Sequence, residues 1–183
     1  AIGYYGTSLS SEFTENSPGG KDFLSNLCKK WEAVAAEKPF FSRLVIFRIG
    51  IVLEKDGGAL GKMLPIFKVG LGGPIGDGKQ WMSWIHRTDL CALIIQALVD
   101  KKYSGVFNAV APNPVLMREF SQTLGKCLNR PNLLPVPGAV LKILLGDGAK
   151  VVLEGQKVIS SKIKNYNFKY PLLEKAIYAS TKN

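Results

Sequence analysis

The chain has 183 residues, 46% of them hydrophobic and 21% charged, a balance ordinary for a globular protein with a real core. No apolar run approaches the roughly 18 residues of a membrane-spanning helix, so no membrane span is expected. The formal net charge is +10, but the lysines are scattered and no arginine-rich helix or basic-aromatic signature accompanies them. Solvated faces explain that charge, and nucleic acid is not an expected partner.

The opening "AIGYYG" reads as the end of a buried strand running into a glycine turn. It carries no initiator Met, and the expectation is that the chain is the back part of something longer. "TSLSSEFTENSPGG" is a polar loop rich in turn residues. Residues 21–37 then read as an amphipathic helix, with Phe23, Leu24, Leu27, Trp31 and Val34 at three- and four-residue spacing. "RLVIFRIGIVL" is β-branched and nearly continuous in apolar character, as a strand covered on both faces should be. A short helix is expected over 59–69, followed by the glycine-rich connection "GLGGPIGDGK" and the strand "QWMSWIH".

"RTDLCALIIQALVDKK" predicts a helix, with Thr88 as its N-cap and Asp89 in its first turn at the positive dipole end. "GVFNAVAP" is another strand, and residues 115–129 are helical. Past Arg130 short helices are expected, with a last helix over 172–179. Alternating strands and helices imply an α/β fold with a mainly parallel sheet over residues 1–130, followed by a small helical domain over 131–183. Cys28, Cys91 and Cys127 lack metal-ligand spacing, so they read as buried thiols of a reducing compartment and no metal site is expected.

Three motifs mimic chemistry without its context. "GPIGDGKQ" nearly matches a phosphate-binding loop, but Gln80 supplies no hydroxyl for magnesium and a strand follows where a helix is required. "GLGG" lacks the flanking strand and helix of a dinucleotide loop. Tyr178 and Lys182 form a literal Tyr-x-x-x-Lys, close to the end of the chain where fraying is expected.

Longer stretches carry a more specific signal. "GYYG", "ENSPGGKDFLSNLCKKWEAVA", "RIGIVLEKDGGALGKMLPIFKVGLGGPIGDGKQWMSWIHRTDL" and "GVFNAVAPNPV" resemble the atypical, extended short-chain dehydrogenase/reductases. These are the NAD-dependent epimerase/dehydratase-like "epimerase family" proteins, some labelled cell-division-inhibitor-like. The version here looks most like cyanobacterial and plastid members. The tail looks like the family's small C-terminal domain. The resemblance implies the distal part of a Rossmann-like fold whose first half, with most of the cofactor site, lies upstream of residue 1. It implies NAD(P) binding, NADP being the expected form, and a location in the cytoplasm or, alternatively, the chloroplast stroma.

Within the chain the remaining cofactor contacts are expected at sheet ends, from Tyr4 and from Arg48, Ile49, Gly50 and Ile51, since ligands of open α/β sheets bind outside the carboxyl ends of strands. Packing explains 49–51 equally well. The superfamily's catalytic Ser slot falls at or before Ala1, and its Tyr slot falls on Leu24, Ser25 or Asn26. Lys29 or Lys30 occupies the Lys position with no phenol to tune, and reads more simply as a solvent-facing charge.

In nucleotide-sugar relatives an Arg at the position of Met82 clamps the diphosphate, and Ser83 replaces an Asp. A neutral thioether cannot do this work, so a small, non-nucleotide substrate is expected. Trp81, Met82 and Trp84 would wall an apolar pocket or pack in the core. Strand alternation sets Trp81 and Ser83 on one face and Met82 and Trp84 on the other. Tyr4, Tyr5 and His86 are the candidate acid/base groups, Tyr5 and His86 first among them, with walling the pocket the plainer role for either tyrosine and packing for His86 at its strand–helix junction. The rival expectation is a non-catalytic NAD(P)-binding regulator with a protein partner in cell or plastid division.

Overall fold

The β-branched run before Gly50 forms a parallel ladder that organises the core. The computed structural model describes residues 1–37, 43–132, 135 and 154–182. Strand β2 (Val45–Ile49) pairs in parallel with β6 (Gly105–Ala109), and Arg48 lies opposite Asn108. The apolar run does not continue as one strand. At Gly50 the backbone crowds its neighbour so closely that an added Cβ would lie 2.6 Å from the Ser83 carbonyl oxygen. The chain then resumes as β3 (Ile51–Leu53), which pairs with β5 (Trp84–His86) instead of β6.

The expected strand "QWMSWIH" divides in the same way. Its first part, β4 (Trp81–Met82), pairs antiparallel with β7 (Val115–Leu116), and Ser83 separates it from β5. Ser83 Oγ donates to the Gln156 carbonyl and accepts from Val158 N–H, so its side chain pins the 156–158 segment. The polar loop after the opening turn holds the short strand β1 (Glu12–Phe13), which pairs in parallel with β8 (Lys157–Val158). Among the described residues three pairings are parallel and one is antiparallel.

The helices are α1 (Phe23–Ala36), α2 (Gly58–Lys68), α3 (Arg87–Val99), α4 (Met117–Leu128) and α5 (Leu173–Lys182). Helix α4 starts later than the sequence suggests because Val115 and Leu116 pair with β4. Helix α5 runs on through Lys182, so the ammonium of Lys182 donates to Tyr178 Oη at 3.0 Å, on a half-exposed face. One apolar cluster joins α2, α4 and α5 with Leu53, Met82 and Trp84, and a second joins α3 with β6. The short helices expected between 136 and 153 lie outside the described residues.

Other expectations change as well. The opening residues form a 3-10 turn, Ile2–Tyr5, and not a strand. Tyr4 N–H bonds Ala1 O, Gly6 N–H bonds Gly3 O, and Gly6 ends the turn at φ 75. Helix α1 presents the opposite face to the one its apolar spacing suggests. It buries Ser25 and Cys28, while Phe23, Trp31 and Val34 stand exposed. Cys91 is exposed and so is not a buried thiol. The N-cap of α3 is His86, whose ring nitrogen accepts from Thr88 N–H.

Glu15 locks the β1–β8 side to β6. Its carboxylate is 9% exposed and accepts from Asn108 N–H at 2.9 Å, from Ser161 N–H at 2.8 Å, from Ser161 Oγ at 2.7 Å and from Ser160 Oγ. Burial alone pushes such a carboxyl up, but these bonds from Asn108, Ser160 and Ser161 outweigh it and hold Glu15 below its ordinary value. The resulting stability is present above the ordinary glutamate pKa of about 4.3 and is lost as pH falls through the lower folded value. Glu15→Gln should cost about 1–3 kcal/mol at neutral pH, since the amide cannot accept all four donors. Urea midpoints measured from neutral pH down to acid should fall less steeply in the variant than in the wild type; parallel slopes would contradict this.

Candidate functional site

The Ile2–Tyr5 turn sits over the carboxyl ends of β2 and β6, where an open α/β sheet places its ligands. Arg48 is the residue that fixes it there. Its guanidinium is only 4% exposed and makes a two-pronged pair with Glu32 of α1, Nε to Oε1 at 2.8 Å and Nη2 to Oε2 at 2.7 Å. Nη1 donates to Tyr5 Oη at 2.9 Å, and Tyr5 in turn donates to Asn108 Oδ1 at 2.7 Å. Asn108 Nδ2 donates to the Ile159 carbonyl at 2.9 Å. Burial works against the charge on Arg48, yet the bonds to Glu32 and Tyr5 raise its pKa above the ordinary value. Burial likewise raises the Tyr5 phenol, with Arg48 opposing it only in part.

The two expected tyrosines therefore occupy different surroundings. Tyr5 is 3% exposed, with its proton on Asn108 and its oxygen receiving Arg48. Tyr4 is half-buried beside it, with the Arg48 guanidinium carbon 3.3 Å from its ring centroid. Its hydroxyl has no hydrogen-bond partner among the described residues. The bare backbone of the "GG" pair allows α1 to approach this turn. A Cβ on Gly20 would lie 2.6 Å from Ser25 Oγ and 2.8 Å from Gly6 N, and one on Gly19 would lie 2.4 Å from Lys29 Cε.

Asp22 caps α1 by accepting from Ser25 N–H at 2.8 Å. Ser25 is wholly buried, and its Oγ is set to donate to Gly3 O or Asp22 Oδ1, each at 3.0 Å. Lys29, one turn further on, is half-buried and donates to the Gly20 carbonyl. That corrects its reading as a solvent-facing charge, while Lys30 is exposed. Ser25 and Lys29 share the four-residue spacing of the Tyr-x-x-x-Lys motif, a relation that becomes specific only once the glycine pair is seen holding the lysine.

The other candidates sit elsewhere. Gly50 is closed over by Ser83 O and Val110, and Ile49 and Ile51 pack against the second and first apolar clusters respectively. Met82 and Trp84 are 1% and 0% exposed inside the first cluster, and Trp84 Nε1 donates to the Asn113 carbonyl at 3.0 Å. Trp81 and Ser83 face the 155–158 segment on the opposite side. Trp81 Nε1 donates to Leu9 O at 2.9 Å, beside a cleft of about 390 Å³ lined in part by Thr7, Ser8 and Gln80.

His86 is not brought to Tyr5. It is 7% exposed, its ring centroid lies 4.1 Å from that of Tyr170, and Nδ1 receives Thr88 N–H at 3.1 Å. Asp89 below it accepts Lys169 N–H and Tyr170 N–H at 2.7 and 3.0 Å. Sequence reasoning missed Glu32, Asn108 and Glu15, whose partners are distant in the chain.

The Rossmann-like α/β fold defines the class of protein, and comparison with known proteins gives its nearer relations. A family model described as a domain of unknown function, DUF1731, matches residues 136–179. The chain is 51% identical over 181 residues to the chloroplastic "Epimerase family protein SDR39U1 homolog" of Arabidopsis thaliana, covering 98% of this chain and 52% of that protein. It superposes on a crystal structure of the human epimerase family protein SDR39U1 with NADPH at a TM-score of 0.91 and 43% identity. That match covers 100% of this chain and 63% of the human one. A nucleoside-diphosphate sugar epimerase from Corynebacterium glutamicum matches at a TM-score of 0.71 and 32% identity, over 97% of this chain and 35% of that one. The chain is thus epimerase-like in sequence and fold, and it spans between about one third and two thirds of the length of these three proteins.

Burial holds the His86 imidazole below its ordinary value, with the Asp89 charge opposing in part. The unfolded chain takes up this proton first, so stability should fall as pH drops below about 6.5 towards the folded value. His86→Ala should cost about 0.5–2 kcal/mol through the lost cap, and His86→Asn should recover most of it. Urea unfolding checks this, and an alanine variant as stable as the wild type would contradict the capping role.

Proposed function

We propose that the chain is the distal part of an NADP(H)-binding epimerase family protein. Its reaction is redox or epimerase-like chemistry on a small substrate that is not a nucleotide sugar. The observation carrying this reading is the superposition of the whole chain on a relative crystallised with NADPH.

The residues present suit the nicotinamide-ribose end of such a cofactor. Lys29 donates one hydrogen bond, to Gly20 O, of the three an ammonium can make. With the open Tyr4 hydroxyl it offers polar contacts to ribose hydroxyls and a carboxamide. Arg48 does not suit the pyrophosphate, because Glu32 and Tyr5 already take its donors. The pyrophosphate is then held by parts of the whole protein other than these. The bound cofactor supplies hydride chemistry, and the chain orients and encloses it.

Met82 supports the exclusion of nucleotide sugars. It is uncharged and 1% exposed in the core, so no diphosphate clamp stands at that position. Similarity to a chloroplastic relative favours the stroma over the cytoplasm as its compartment. No helix among the described residues is long and apolar enough to cross a membrane.

The test is fluorescence titration of the full-length protein with NADPH and NADH. Saturable binding with preference for NADPH is expected, and Lys29→Met should weaken it by about tenfold, or about 1.4 kcal/mol. Absence of saturable binding would overturn the reading.

A further inference from the structure

We propose that Tyr4 is the proton donor of this site, taking the place of the phenol that α1 lacks, with the Lys29 ammonium beside it. The inference rests on the cofactor reading above and assigns that site its acid.

Three observations converge on this one side chain. The helix cannot provide the group itself, because Ser25 is wholly buried with its hydroxyl directed at Gly3 O and Asp22. Tyr5 cannot provide it without breaking the buried chain from Arg48 to Asn108. Tyr4 is held by its ring and its backbone, and not by its hydroxyl. The Arg48 guanidinium covers one face at 3.3 Å, Tyr5 meets it nearly edge-on at 5.3 Å and 82°, and its carbonyl accepts Gly20 N–H at 2.9 Å. A group positioned this firmly with its polar atom left open is what proton transfer requires.

Gly19 brings the phenol to the ammonium. A Cβ built there would meet Tyr4 Cζ at 3.0 Å and Cε1 at 3.1 Å, and Lys29 Cε at 2.4 Å. The phenol carbon and the carbon bearing the ammonium therefore both lie within 3.0 Å of one point beside Gly19. A phenol and a lysine meet here from separate elements, where the Tyr-x-x-x-Lys motif would carry both on one helix face.

The step balances with a reduced nicotinamide dinucleotide as the hydride source. The substrate's carbonyl carbon accepts the hydride while its oxygen takes the proton from Tyr4 Oη. The carbonyl becomes an alcohol and the dinucleotide is oxidised. The phenolate left beside Lys29 regains its proton from solvent.

The test uses the full-length protein with two readouts. The first is tyrosine acetylation by N-acetylimidazole, mapped by peptide mass with and without saturating NADP+. The cofactor should protect Tyr4 and leave the half-exposed Tyr178 unchanged. The second is NADPH oxidation with isatin and benzaldehyde as carbonyl probes. Tyr4→Phe keeps the ring over Arg48 and removes one polar contact to the cofactor, so NADPH should still bind saturably with affinity reduced by no more than about tenfold, while turnover at saturating NADPH falls by about a hundredfold or more. If NADPH does not bind, the cofactor reading fails. If it binds and Tyr4 is unprotected, the wild type turns over neither probe, or Tyr4→Phe retains its rate, the assignment of Tyr4 is overturned while the cofactor reading stands.

Discussion

A buried guanidinium is costly unless it is paired and hydrogen-bonded, and each of the three Arg48 nitrogens donates a bond, two to Glu32 and one to Tyr5. Glu32 approaches from α1, Tyr5 from the opening turn, and the Tyr4 ring covers the remaining face. Withdrawing any of these leaves charge or a polar atom stranded in the interior, so helix, turn and strand are held in one arrangement. The chain of bonds continues through Asn108 to the 159–161 segment and Glu15, joining groups up to 146 positions apart in sequence. The apolar cluster of the turn takes in Phe13, Val110 and Val158 and no residue of β2, and the polar chain supplies the connection there.

That arrangement separates the roles of two adjacent, chemically identical side chains. Tyr5 is spent inside the network, whereas Tyr4 is clamped by it and left with an open hydroxyl. The glycines follow from the same geometry. Gly19 and Gly20 let α1 come down on the turn, where the buried Cys28 lies against Gly3 and the buried Ser25 against Gly6 and Gly20. Helix α1 is therefore oriented by polar and small contacts, and its apolar residues Phe23, Trp31 and Val34 stand exposed among the described residues.

This explains what could be read in advance and what could not. Strands β2 and β6 and helices α2 to α4 follow from period and apolar content, because the apolar effect sets them, whereas the pairing of the strands does not. The alternation of Trp81 and Ser83 against Met82 and Trp84 was legible for the same reason. The face of α1 was not, since its periodicity points outward and the forces that orient it come from Arg48 and Gly3. Gly50 and Ser83 break their strands where two backbones nearly touch, a relation between residues more than thirty positions apart. Of the candidate site, the resemblance named Tyr4, Tyr5 and Arg48 as expectations and left α1 without a phenol. It could not show that Arg48 is committed to Glu32, that Lys29 turns back to Gly20, or that His86 caps a helix.

The most direct test of this account is a crystal structure of the full-length protein with NADP+ bound. The account predicts that the nicotinamide lies against the Tyr4 hydroxyl at hydrogen-bonding reach of about 3 Å, while Tyr5 stays between Arg48 and Asn108. A nicotinamide seated beside Tyr5 or His86, with the Tyr4 ring turned away from it, would contradict the account.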